Sequence, residues 1–162
     1  MFQKLILILS LYFSAQIQSQ NLVEDEGTIG NSISSQLYAK CFENINQGAE
    51  ILEKYPAFKN TKLCSLMYCM MLLVYEDKEI QQIAEDRLIG IATQLYHEGI
   101  PVILTMGMDI YLEAEKRNQN LEDDDHIVYI SYGECTNPRF LTQAAEIVNK
   151  QTMTLINQNK KQ

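Results

Sequence analysis

Residues Leu63 to Tyr75 read LCSLMYCMMLLVY, an apolar run with one serine and no charge. A helix that is hydrophobic all round has to be buried on every side, so the rest of the chain must wrap it. Thirteen residues are too few to cross roughly 30 Å of hydrocarbon, which takes about 20. The run is therefore expected to be the central buried helix of a globular domain, with Asn60 or Thr61 as its cap. A buried strand is the competing reading, and Met and Leu weigh against it because they favour helix.

The sequence around this run has helical period. Ile33, Leu37, Cys41, Ile45, Ala49 and Leu52 recur every three or four residues, with Tyr38 and Phe42 widening the stripe. They predict a helix over 32–54, capped by Ser32 or Asn31 and ended at Tyr55-Pro56, because the residue before proline avoids helical geometry. Asp77 caps a third helix whose stripe is Ile80, Ile83, Ala84, Leu88, Ile91 and Leu95, and Gly99 stops it. Pro101 suits the first turn of a fourth helix over 101–117, with Val102, Ile103, Met106, Ile110 and Ala114. His126 to Tyr132 fits a short helix or a strand. Asn137-Pro138 opens the last helix, 138–157, with Leu141, Ala144, Ala145, Val148 and Ile156. The fold class this implies is all-α: a bundle of five to six helices over 32–157, with a short tail at 158–162.

The N-terminus reads as an address. Lys4 precedes the apolar core Leu5 to Phe13, and small residues follow at Ser14, Ala15 and Ser19. That is the layout of a secretory signal peptide over 1–19, cleaved after Ser19 with Ala15 as a competing site. A buried N-terminal helix is the alternative, but the segment lacks polar/apolar periodicity. Residues 20–31 are polar and contain glycine, as a flexible lead would. The mature protein is then expected to be exported, periplasmic or extracellular, with no membrane span. Cleavage removes Lys4 and no acid, taking the net charge from −8 to −9. Such an acidic chain lacks the clustered Lys and Arg that phosphate contacts need, so nucleic acid is not an expected partner.

Four cysteines survive cleavage: Cys41, Cys64, Cys69 and Cys135. An even count in an exported chain implies two disulfides. Cys64 and Cys69, five apart on one helix, would be separated by a rise of about 7.5 Å and a turn of about 140°, beyond disulfide reach. Each must pair elsewhere. If the first two helices form an antiparallel hairpin, Cys41 lies far from the turn, a depth that Cys69 matches better than Cys64. The favoured pairing is Cys41–Cys69 with Cys64–Cys135, and the swapped pairing follows closely. No C-x-x-C is present, and His97 and His126 have no zinc spacing to the cysteines, so neither metal nor cofactor is expected.

No motif of a nucleophile elbow, zinc protease, phosphate loop or dinucleotide fold occurs, so an enzyme is not the expectation. Glu122, Asp123, Asp124 and Asp125 form the densest charge cluster, without the alternating acids and central glycine of a calcium loop. An acidic loop of this kind feeds a helix N-terminus or steers onto a basic partner. With Tyr132, an aromatic suited to interface anchoring, these four acids are the candidate partner-binding residues. Tyr38, Tyr68 and Tyr129 fit a core with one wet end equally well.

The order of a signal peptide, a first helix carrying Leu37-Tyr38-Ala39-Lys40-Cys41, further helices, and a late cysteine in Tyr132-Gly133-Glu134-Cys135 resembles the small periplasmic immunity proteins of type VI secretion amidase effectors. The resemblance implies a disulfide-bearing helical protein that binds a toxic peptidoglycan amidase and occludes its active site, with pairing roles for Cys41 and Cys135. Cys64 and Cys69 on one apolar helix depart from that pattern. Two other readings compete. One is a helical small-ligand carrier similar to insect odorant-binding proteins, whose C-x3-C pair is absent here. The other is a small exported hydrolase. A homodimer is compatible with each.

Overall fold

The computed structural model describes residues 32–42, 45, 54–55, 58, 63–120, 126–133 and 136–161. Its elements in chain order are α1 (Ile33–Ala39), α2 (Leu66–Leu72), α3 (Lys78–His97), β1 (Val102–Met106), α4 (Met108–Asn120), β2 (Val128–Gly133) and α5 (Arg139–Asn159). The expected leader, the 20–31 lead and the Glu122–Asp125 loop lie outside the described residues.

The spine is α3, not the apolar run. Its stripe of Ile80, Ile83, Ala84, Leu88, Ile91 and Leu95 is buried as the period required, and Ala92 joins it. Asp77 accepts from the backbone N–H groups of Glu79 and Ile80, filling two of the orphan donors of the first turn. At the other end Gly99 adopts φ +77°, and Ile100 N–H reaches back to the Leu95 carbonyl. That left-handed residue closes the helix as a glycine can without steric cost. Along α5, Ala144, Ala145, Val148 and Ile156 are buried, and this helix lies against α3.

Two helices are shorter than their patterns. Helix α1 starts at the Ser32 cap but ends at Ala39, because Lys40 is extended (φ −56°, ψ 129°). The helix predicted through 54 is thus broken at Lys40. Helix α2 covers seven residues, with Ser65 as its cap rather than Asn60 or Thr61. Leu63 and Cys64 precede it outside any helix, and Leu73 to Tyr75 form a turn.

The expected all-α class is corrected by a parallel pair of strands. Val102 aligns with Val128 and Leu104 with Ile130, and these four side chains are buried on one face. A run of Val, Ile, Leu and Thr after proline satisfies strand alternation as well as a helical turn. Gly107, at φ +103°, turns the chain out of β1 into α4, so the predicted helix over 101–117 is a strand followed by a helix. Parallel strands need such a crossover, and α4 supplies it.

A two-stranded parallel sheet exposes two outer edges, and asparagine side chains close both. Asn118 of α4 accepts from Tyr129 N–H at 2.8 Å and donates to Tyr129 carbonyl at 2.8 Å. Asn149 of α5 does the same for Leu104, at 2.7 and 2.9 Å. Each amide turns an N–H donor and its carbonyl acceptor to the strand as a peptide would, so it completes the ladder where a third strand would sit.

Candidate functional site

The disulfide joins Cys41 to Cys64, with Cα atoms 4.7 Å apart. Cys69 is a buried free thiol, so neither favoured bridge, Cys41–Cys69 nor Cys64–Cys135, forms; Cys41–Cys64 is the bridge of the swapped pairing, and one disulfide is found among the described residues where two were expected. Cys135 itself lies outside the described residues. The depth comparison between hairpin helices failed because neither cysteine is on a helix. Cys41 follows the end of α1 and Cys64 precedes α2, and Phe42 N–H donates to the Cys64 carbonyl at 2.7 Å. The two cysteines thus meet in the segments flanking α1 and α2, not within the helices.

Arg87 holds this junction from α3. It is 6% exposed and its Nη1 donates to the Leu63 carbonyl at 2.7 Å, while its Nε has no partner among the described residues. The Cys69 thiol lies 3.6 Å from the same carbonyl. Burial pushes that thiol up to about 12, against the opposing pull of the Arg87 guanidinium. Burial also lowers Arg87 below its ordinary value. A thiol so placed stays protonated and is no nucleophile.

The largest chemical surprise is on α2. Tyr68, Met71, Val74 and Tyr75 are 45, 48, 52 and 44% exposed. Their spacing of three, three and one puts them on one side of α2 and its following turn, opposite the buried Leu66, Cys69, Met70 and Leu72. The run expected to be buried all round is buried on one side only, and its open side is apolar too. Edge contact with Phe58 at 5.3 Å between centroids props the Tyr75 ring. Beyond the face the chain turns acidic: Glu76, Asp77 and Glu79 are exposed. Tyr55 donates to Glu79 at 2.9 Å and Asp77 at 3.2 Å, and Lys54 pairs with Glu79 at 2.6 Å. Hydrogen bonds from backbone N–H groups hold Asp77 below the usual carboxylate range, and the Lys54 hydrogen bond does the same for Glu79. The sequence signal for this face was only its tyrosines and methionines, which read equally well as core.

Of the five candidate partner-binding residues, Glu122, Asp123, Asp124 and Asp125 lie outside the described residues. Tyr132 sits half-buried near the carboxyl end of β2 and packs on the core. Burial raises its phenol, and hydrogen bonding with Thr142 opposes that. Tyr38 is likewise raised by burial. Tyr129 is half-buried, whereas Tyr68 is not a core residue at all. His97 and His126, distant in sequence, line one shallow cleft with Tyr96, Pro101 and Ile156. Among the described residues no three His, Cys, Asp or Glu side chains converge as a metal site would require. No described helix is long and apolar enough to cross a membrane. Comparison of the chain with protein-family models, curated proteins and solved structures finds no match.

Proposed function

We propose that this chain is an exported binding protein that neutralises a toxic cell-wall-degrading enzyme by covering its active site. The observation that carries the reading is the exposed face of Tyr68, Met71, Val74 and Tyr75. Tyr and Met are enriched where proteins meet, and here four large apolar side chains within eight residues stand open to solvent. The Cys41–Cys64 bridge supports export, since such bonds persist in oxidising compartments. The layout of leader, Leu37 to Cys41 and late cysteine adds the kind of partner, a peptidoglycan amidase, by resemblance to type VI immunity proteins.

Co-expression tests the reading. Directing the cell-wall hydrolase encoded beside this gene to the periplasm should lyse cells, and co-expressing this chain with its leader should prevent lysis. A leaderless version should not protect. Lysis that proceeds unchanged with the full chain present, together with no complex between the purified proteins, would discard the proposal.

A further inference from the structure

The same face also carries information about its partner. We infer that the surface of Tyr68, Met71, Val74 and Tyr75 receives an apolar knob ringed by Lys or Arg from the partner enzyme, an inference that rests on the binding role proposed above. The face is bounded on its C-terminal side by Glu76, Asp77 and Glu79, all exposed, with Lys78 and Lys54 as the cations beside them among the described residues. Glu79 already takes up Lys54. Asp77 is kept ionised by the N–H groups of α3, so its charge persists into the acidic range. Glu76 and Asp77 therefore set an acidic rim beside the apolar residues. Tyr68 and Tyr75, 45 and 44% exposed, offer aromatic rings to a cation.

Charge selects among the occupants such a face could take. A second copy would bring an identical acidic rim and a second chain of net charge −8 to the contact, and like charges across an interface oppose docking. An anionic lipid surface is repelled for the same reason. A protein that offers apolar side chains with basic neighbours satisfies both parts of the surface. Its apolar group removes Met71 and Val74 from water, and its cations meet Glu76, Asp77 and the tyrosine rings.

Binding of the adjacent-gene hydrolase to the full mature chain, measured at 50 and 500 mM NaCl, tests this. Met71→Asp, on the centre of the face, should weaken binding about 100-fold or more with unchanged circular dichroism, as a buried charge at an interface centre does. Val74→Asp, on the turn beyond α2, should act in the same direction and serves if Met71→Asp disturbs the helix. Glu76→Lys should lower affinity about tenfold, chiefly through slower association, and high salt should do likewise for the native protein. Native binding that both aspartate variants preserve, or that strengthens with salt, overturns the inference while leaving the binding role intact. Sedimentation as a dimer that Met71→Asp dissociates also overturns it, because the face is then occupied by a second copy. Absence of any native complex overturns the binding role and this inference together, an outcome distinct from the first.

Discussion

At the scale of single residues, Arg87 does most to join parts of the molecule that are far apart in sequence. It reaches from α3 to the Leu63 carbonyl and so fixes the segment that carries Cys64. Arg87→Met keeps the apolar stem but leaves that carbonyl with only the weak Cys69 contact. Removal of an ionic desolvation cost works in the opposite direction. The orphaned carbonyl should dominate, with a loss of about 1–2 kcal/mol of unfolding free energy in urea titration. Cys69 beside it gives a second test. With its thiol pushed up to about 12 by burial, it should resist a thiol-specific disulfide reagent at pH 8 and react only on denaturation. Rapid stoichiometric labelling of the folded protein would show that the thiol is not where the packing puts it.

At the scale of elements, the parallel pair depends on side chains that imitate a backbone. Asn118→Leu removes one acceptor and one donor from the Tyr129 backbone in a half-buried setting, while Ser34 still donates to the Tyr129 carbonyl at 2.8 Å. Asn149→Leu leaves Leu104 with neither. The second substitution should therefore cost more, about 2–3 kcal/mol against about 1–2 for the first, read from thermal unfolding. Equal and negligible losses would mean that water closes these edges just as well. The disulfide belongs to this scale too. Closing a 23-residue separation contributes about 3 kcal/mol by loop entropy, so Cys41→Ser with Cys64→Ser should lower stability by about that amount. Helices α3 and α5 were legible in the sequence because each has a sustained 3.6-residue stripe, and α3 also has a cap and a stop that act locally. Strand β1 was not, since five residues after Pro101, four of them apolar, carry no period long enough to separate strand from helix. The length of α2 was hidden for a related reason. A run apolar on all sides gives no register from which to read where the helix ends or which side faces water.

At the scale of the whole molecule, the acidic balance shapes both stability and partner choice. Asp77, Glu79 and Glu98 have carboxyls held below their ordinary values, by backbone N–H groups for Asp77, by Lys54 for Glu79 and by Lys40 for Glu98. Groups lowered in the folded state add stability that is complete above the ordinary carboxylate range and is lost as pH falls through their depressed values. The melting temperature should thus hold steady near neutrality and decline below about pH 4, and Glu79→Gln should blunt that decline. On the alkaline side, partial burial and the hydrogen bonds to Glu79 and Asp77 raise Tyr55 to about 12. The stability it contributes is complete below its unfolded value near 10 and fades as pH climbs toward about 12. The candidate binding face was invisible in the sequence for a reason at this scale. Whether Tyr68 and Met71 face the core or solvent depends on how α1, α3 and α5 leave one side of α2 uncovered, and no local pattern records that. That cysteines of this chain form a bridge was legible in outline, while its partners depended on Lys40 ending α1 early and Ser65 starting α2 late, which the period did not mark.

The most direct test of the binding role is amide hydrogen exchange of the mature chain, free and mixed with the hydrolase encoded beside it. Protection gained by residues 66–79, with α5 unchanged, is expected if the exposed side of α2 and its acidic rim meet the enzyme. Exchange that is identical with and without the enzyme would contradict the binding role, and protection confined to α5 would contradict the placing of the contact on α2.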